Sequence, residues 1–330
     1  FTGTDNLGIA GTSGPVTTTA GAATQYLVTT TPDSAVVAGG PVTITAQLAD
    51  ANGNAVAQAG RTVTWSKTGD GGSFASPTTA TNASGIATVT FTTGTTADTV
   101  YTFTGTDNEG ATGTSGPVTT TAGAATQYLV TTNTATVVAG GPVTITAQLA
   151  DANGNAVALA GRTVTWSKTG DGGSFASPNT STNASGIATV TFTTGTTAGT
   201  VYTFTGTDNL GATGTSGPVT TTAGAATQYL VTVNDTAPIA GTEVVVTAQL
   251  ADLYGNAVAE ADRMVNWSST NGGSFVPNPS FTNALGVATT AFTTGEAPDT
   301  AHVVTAEDDE DVDIRGESPE IVTQEPPDDG

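Results

Sequence analysis

The sequence predicts an all-β protein made of successive antiparallel β-sandwiches arranged as a rod. Three observations carry that expectation. A phrase of about 100 residues recurs three times, apolar and polar residues alternate with period 2 inside it, and Thr, Val, Gly and Ala dominate the composition. Thr and Val are branched at Cβ, lose little by extending, and suit a pleated surface. No window shows the 3.6-residue period of a helix.

The repeat is clearest in its aromatic residues. Thr62-Val63-Thr64-Trp65-Ser66-Lys67 returns as Thr163-Val164-Thr165-Trp166-Ser167-Lys168 and, altered, as Met264-Val265-Asn266-Trp267-Ser268-Ser269. Trp65, Trp166 and Trp267 therefore stand 101 residues apart. Tyr26, Tyr128 and Tyr229 lie in the phrase Ala-Thr-Gln-Tyr-Leu-Val-Thr, and Phe91, Phe192 and Phe292 open matching Phe-Thr-Thr-Gly segments. Self-similarity at a fixed period marks an array of equivalent units. From Val36 onward, copies one and two differ at Gln58/Leu159, Thr78/Asn179, Ala80/Ser181, Asp98/Gly199 and Glu109/Leu210, whereas copy three has drifted and carries most of the acid.

In chain order, residues 1–19 read as the closing strands of a preceding repeat, because Phe1-Thr2-Gly3-Thr4-Asp5-Asn6 matches Phe103-Thr104-Gly105-Thr106-Asp107-Asn108. Repeats are expected over 20–121, 122–222 and 223–323, opened by Gly21, Gly123 and Gly224, with 324–330 as an extended tail. The joins hold no long Ser/Gly tract, which favours stiff stacking over a floppy chain. In copy one, strands are expected near 24–30, 41–49, 62–67, 86–93, 99–105 and 114–120, with a weak one near 73–76. Val42, Ile44, Ala46 and Leu48 alternate with Thr43, Thr45 and Gln47, and Val63 and Trp65 alternate with Thr62 and Thr64. One oily and one wet face per strand is the pattern of antiparallel sheets packed face to face. Trp65, Trp166, Trp267, Phe91, Phe192 and Phe292 are the expected core aromatics.

Composition narrows the function. The formal net charge of −22, from 6 basic and 28 acidic residues, repels phosphate backbones and anionic membranes. Cations or a basic surface are its natural counterparts. The absence of cysteine rules out disulfides and thiolate metal sites. No apolar run approaches the roughly 18 residues of a membrane span, and no signal peptide is visible.

Longer phrases carry a family resemblance. Ala46-Gln47-Leu48-Ala49-Asp50-Ala51-Asn52-Gly53-Asn54-Ala55-Val56, Arg61-Thr62-Val63-Thr64-Trp65 and Ala80-Thr81-Asn82-Ala83-Ser84-Gly85-Ile86-Ala87-Thr88-Val89-Thr90-Phe91 resemble the group 1 bacterial immunoglobulin-like domain, the type repeated in invasin and intimin. The resemblance covers nearly the whole chain. It implies immunoglobulin-like sandwiches and an extracellular stalk that carries a separate tip domain away from the bacterial surface. The family's tip and its outer-membrane anchor have no counterpart here.

The chemistry on offer is sparse. Catalysis needs convergent titratable groups, yet the one histidine, His302, aligns with Tyr101 and Tyr202 and reads as an aromatic substitute. No Gly-x-Ser-x-Gly elbow or phosphate loop occurs, so no enzyme and no cofactor are expected. Calcium is the metal to weigh. Asp50, Asn52 and Asn54 recur as Asp151, Asn153 and Asn155, with oxygen ligands at alternate positions. The loop lacks a closing bidentate Glu, although calcium takes six to eight oxygens, and an Asn-Gly turn explains the same residues. The acidic run containing Asp308, Asp309 and Asp311 is a second calcium candidate or a solvated charge run.

The leading expectation is a non-catalytic spacer of a long bacterial cell-surface adhesin, whose partners are neighbouring repeats of its own array. The first alternative is a filament subunit, in which residues 1–19 complete a sandwich in a neighbouring copy. The second is a ligand-binding or phage-decoration module.

Overall fold

A computed structural model describes residues 1–327. Strands and turns account for the fold, and no helix occurs among the described residues. By internal packing the chain divides into two compact units. One comprises Phe1–Gln127 with Leu149–Ala158, and the other Tyr128–Gln148 with Leu159 onward.

The first unit opens with a hairpin of β1 (Thr2–Thr4) and β2 (Ala10–Thr12), followed by copy one. One layer of the copy runs β7 (Ser73–Phe74), β9 (Ile86–Thr92), β5 (Pro41–Ala49), β3 (Gln25–Thr31), each antiparallel to its neighbour. The facing layer runs β12 (Thr112–Thr114), β11 (Phe103–Asp107), β6 (Thr62–Lys67), β8 (Thr78–Ala80). A single parallel pair, Thr112 with Gln25, joins the layers at one edge. A small third sheet sets β13 (Val118–Thr121) between β10 (Val100–Tyr101) and β4 (Ala35–Val37). In the second unit, copy three has the same two layers as separate four-stranded sheets. These are tandem immunoglobulin-like sandwiches.

Alternation puts the core where it is. Val42, Ile44, Ala46 and Leu48 are fully buried, as are Phe91, Tyr101, Phe103 and Val118. Trp65 packs among them at 5 % exposure, and its indole Nε1 donates to Thr79 Oγ1 at 2.9 Å. Trp166 and Trp267 repeat the arrangement with Thr180 and Ser280. A buried indole N–H needs such a partner, since leaving it unpaired would offset part of the gain from burying the ring.

Two expected strands are each split. The segment near 99–105 divides at Thr102: Val100–Tyr101 pairs with Val118–Thr119, whereas Phe103 onward pairs with the Trp strand. The chain changes sheet there while Tyr101 and Phe103 both stay inside, rings 6.1 Å apart and nearly parallel. The segment near 114–120 divides at Ser115–Pro117, where the Ser115 hydroxyl accepts from Phe103 N and donates to Gly116 O.

The two layers share a buried carboxylate. Asp107, at the end of β11, accepts from Tyr26 OH in the opposite layer at 3.0 Å and from Arg61 Nε at 2.8 Å, through Oδ2. Its other oxygen accepts the N–H groups of Glu109 and Ala111, both at 3.0 Å. Burial pushes this carboxyl up, but Arg61 and the other donors hold it below the ordinary carboxylate range. Desolvation, with Asp107 as acceptor, raises the Tyr26 phenol to about 12. Tyr128–Asp208–Arg162 and Tyr229–Asp308–Arg263 repeat the arrangement.

His302 marks where copy three departs. Tyr101 OH donates to Asp70 O and accepts from Gly94 N, and Tyr202 does the same with Asp171 and Gly195. The turn after the Trp strand is one residue shorter in copy three, running Ser269-Thr270-Asn271-Gly272-Gly273. His302 fills the place fully buried, its Nδ1 is 3.4 Å from Ser269 Oγ, and its Nε2 has no partner among the described residues.

Two outcomes follow for stability. Trp65→Ala is expected to destabilise copy one by about 3–5 kcal/mol, read from the urea midpoint, because it removes a large buried ring and leaves a cavity. Burial lowers the His302 pKa, so the folded core holds the neutral ring. The unfolded chain binds a proton below about pH 6.5 that the folded chain does not. The His302 contribution is therefore whole above that pH and declines as pH falls toward the lower folded value. Denaturation of the chain and of His302→Phe at pH 8 and pH 5.5 should show the difference between them narrowing or reversing at the lower pH.

Candidate functional site at the repeat joints

The Asp-x-x-Gly-Asn phrase forms a tight turn after β5 and its counterparts. Asp50 N donates to Asn54 O and Gly53 N to Asp50 O, both at 3.0 Å. Gly53 sits at φ +83°, a left-handed conformation that glycine adopts without strain. The aspartate organises the turn. Asp50 Oδ1 accepts from Asn52 N and Asn54 N at 2.9 Å, and Oδ2 from Gly21 N at 2.8 Å. Asp151 treats Asn153, Asn155 and Gly123 in the same way, and Asp252 treats Tyr254, Asn256 and Gly224. Each carboxylate thus fastens the glycine that opens its own copy to that copy's turn.

These donors explain the charge state. The bond from the Asn54 side chain, followed by that from Gly21 N–H, pulls the Asp50 carboxyl down to about 2. At Asp151 burial acts upward, but the bonds from Asn155 and Gly123 outweigh it and leave the carboxyl at about 2.

The last residue of the turn reaches out of its own copy. Asn155 Oδ1 accepts from Ala97 N, and its Nδ2 donates to Thr95 O, both at 2.9 Å. Asn256 does the same with Ala198 N and Thr196 O, both at 2.8 Å. One side-chain amide thereby pairs a donor and an acceptor on the turn that precedes the closing strands of the copy before it. Asn54, the counterpart in copy one, is exposed and bonds to Asp50.

The joint in the second unit carries an extra contact. Tyr254 stands where copies one and two have Asn, and a Cβ built on Gly140 would meet its ring at 3.1–3.2 Å. Copy three also carries Pro298 where Ala97 and Ala198 supply their N–H groups. Proline has no N–H, so that turn cannot offer the donor an asparagine amide accepts.

The structure separates the calcium candidates. Asp50 and Asp151 point their oxygens at N–H groups, and Asn52 and Asn153 contribute backbone N–H groups to them. Asp308 Oδ2 faces Tyr229 and Arg263, while Oδ1 accepts from Glu310 N and Asp311 N. Asp309 accepts from Asn266 Nδ2, and Asp311 from Asp313 N. Among the described residues, no group of three or more His, Cys, Asp or Glu is arranged to hold a metal.

Sequence reasoning passed over the Tyr–Asp–Arg arrangement and the reach of Asn155. A signal for the first existed: of the six cations, Arg61, Arg162 and Arg263 each stand four residues before a Trp. The second had none, because a repeat pattern does not say which neighbouring backbone a side chain meets.

The chain is similar to several solved bacterial proteins. It is 22% identical to the Escherichia coli adhesin FdeC, with a TM-score of 0.42, over 93% of this chain and 99% of that one. It is 20% identical to invasin, described as a bacterial integrin-binding protein, with a TM-score of 0.38, over 91% of this chain and 59% of invasin. It is 17% identical to the D00–D0 domain of intimin, with a TM-score of 0.38, over 59% of this chain and 99% of that one. No family model and no curated protein matches the chain.

If the asparagine amides join the copies, Asn155→Ala should speed amide hydrogen exchange at Ala97 by about two- to tenfold, since a hydrogen bond of this kind is worth about 0.5–1.5 kcal/mol. Chelator should leave the melting curve of the unaltered chain unchanged. Unchanged exchange at Ala97 would count against the joint, and a chelator-dependent shift would bring calcium back.

Proposed function

We propose that the chain is a non-catalytic spacer segment of a bacterial cell-surface adhesin, exposed outside the cell, whose product is length. The observation that carries this reading is the repeated joint, in which the Asn155 and Asn256 amides each pair with the turn of the copy before. A joint built from both functions of one rigid amide resists swivelling more than a bare peptide link does. Near-identity of copies one and two supports the same reading, because a duplicated module adds reach without adding chemistry.

The clefts favour it as well. One of about 610 Å³ in copy one is lined by Thr and Gly residues with Ser73 and Asp70, and its counterpart in copy two has Asp171 in the same setting. A single carboxylate among hydroxyls and glycines offers no acid–base pair. The buried carboxylates are already engaged: Asp107, Asp208 and Asp308 by Arg and Tyr, and Asp50, Asp151 and Asp252 by N–H groups.

Small-angle scattering tests the reading. Sandwich strands rising ~3.3 Å per residue make each unit about 35–45 Å long with its loops. Three joined end to end should give a radius of gyration of about 35 Å, against about 20 Å for a compact globule of this length. A value near the compact figure would contradict a spacer.

A further inference from the structure

Copy three differs from the other two on one face. In copies one and two the outward side of the layer that holds the Trp strand is mostly threonine. Thr106 pairs across the sheet with Thr64 and Thr112, and Thr104 with Ser66 and Thr114. The hydroxyls close on one another: Thr104 Oγ1 lies 2.9 Å from Thr114 Oγ1, and Thr106 Oγ1 lies 2.9 Å from Thr112 Oγ1. Thr205 with Thr215 and Thr207 with Thr213 repeat this in copy two. Such a surface is short, uncharged and satisfied from within, and it gives a partner little to hold.

In copy three the strand pairing is kept and the outward side chains are replaced. Phe281 stands opposite Met264, where copy one sets Ala80 opposite Thr62. Asn266, Glu307 and Arg315 form the next row, in place of Thr64, Thr106 and Thr112, and Glu317 takes the place of Thr114. Asp309 borders the apolar pair: its N–H donates to Met264 O, and its Oδ1 accepts from Asn266 Nδ2 at 2.9 Å. The inward positions of the same strands, Val265, Trp267, Val304 and Ala306, stay buried. The core therefore does not call for the change. Phe281 is 58 % exposed, whereas every other phenylalanine of the three copies is buried or half-buried.

The chemistry of the face selects its partner. An exposed ring beside a flexible thioether is the material of interface centres. Around it Glu307, Asp309 and Glu317 outnumber Arg315, and carboxylates at a rim favour a basic counterpart. A second copy of this chain, at net charge −22, would bring the same acid, and a phosphate-bearing surface is repelled likewise. We propose that this face of copy three docks a basic protein segment. The segment lays an apolar side chain on Phe281 and Met264 and sets lysine or arginine against Asp309 and Glu307. This goes beyond a spacer role and does not depend on it.

Amide NMR of the full chain tests the assignment, with a short peptide that alternates lysine and leucine as the probe. Saturable shifts should centre on Met264, Phe281 and Glu307 and be absent from Thr62, Ala80 and Thr106 of copy one. A lysine–serine peptide should bind at least about tenfold more weakly, and a glutamate–leucine peptide should not bind. Phe281→Ala with Met264→Thr and Glu307→Thr restores side chains that the same fold carries in copy one, so the variant should stay folded. It should lose at least about tenfold in affinity for the lysine–leucine peptide. The proposal is overturned if no saturable shift appears, or if the shifts spread over the acidic residues of all three copies. Equal binding of the lysine–serine peptide, or undiminished binding by the triple variant, overturns it too.

Discussion

The structure depends on a carboxylate that cannot be left alone. Asp107 sits inside the sandwich with a side chain fully out of water, and removing its partners would strand a buried charge at a cost of about 3–5 kcal/mol. Tyr26 comes to it from one layer, Arg61 from the residue before the Trp strand, and two N–H groups from the turn that follows. Satisfying one group therefore fixes the register of three segments distant in sequence. The chain has no cysteine, so no disulfide supplies a tie between the layers. The carboxylate tie recurs at Asp208 and Asp308, and it engages half of the six cations of a molecule with net charge −22.

The joints use the same device with milder chemistry. Asp50, Asp151 and Asp252 are buried as well but collect N–H groups in place of an arginine, so each copy's opening glycine is held against its own turn. Asn155 and Asn256 then turn outward and take the backbone of the preceding copy. Acid paired with arginine and tyrosine orders the inside of a sandwich, and acid paired with N–H groups, together with the asparagine amide, orders the passage to the next. The differences between copies fall on this scheme. Tyr254 adds an aromatic contact at one joint, Pro298 removes a donor from the turn that would serve another, and His302 replaces a hydroxyl bridge where a turn has lost a residue.

Much of the fold was legible because its determinants are local. Val42, Ile44, Ala46 and Leu48 announce one inward face at period 2, and the structure buries all four. The breaks were not legible. Nothing in Val100 to Phe103 says that the strand changes sheet at Thr102, because both aromatics keep the same inward phase and the change lies in which backbone stands opposite. Ala35–Val37 was missed for a related reason: three residues paired only in parallel with Thr119–Thr121 leave no alternation to read. At the joints, the Asp-Ala-Asn-Gly-Asn phrase marks a turn and suggests calcium, and does not point to the neighbouring copy. Its partners lie 58 and 60 residues away, on a neighbouring copy, where sequence spacing carries no geometric information.

The claim that a charged, paired carboxylate holds each sandwich together is tested most directly by carboxyl-carbon NMR of Asp107 in the folded chain, titrated from pH 7 downward. The account predicts a flat chemical shift through the ordinary carboxylate range, with any titration only at lower pH and together with unfolding. A midpoint near 4 or above in the folded protein would show a proton on that oxygen, and the tie between the layers would have to be something else.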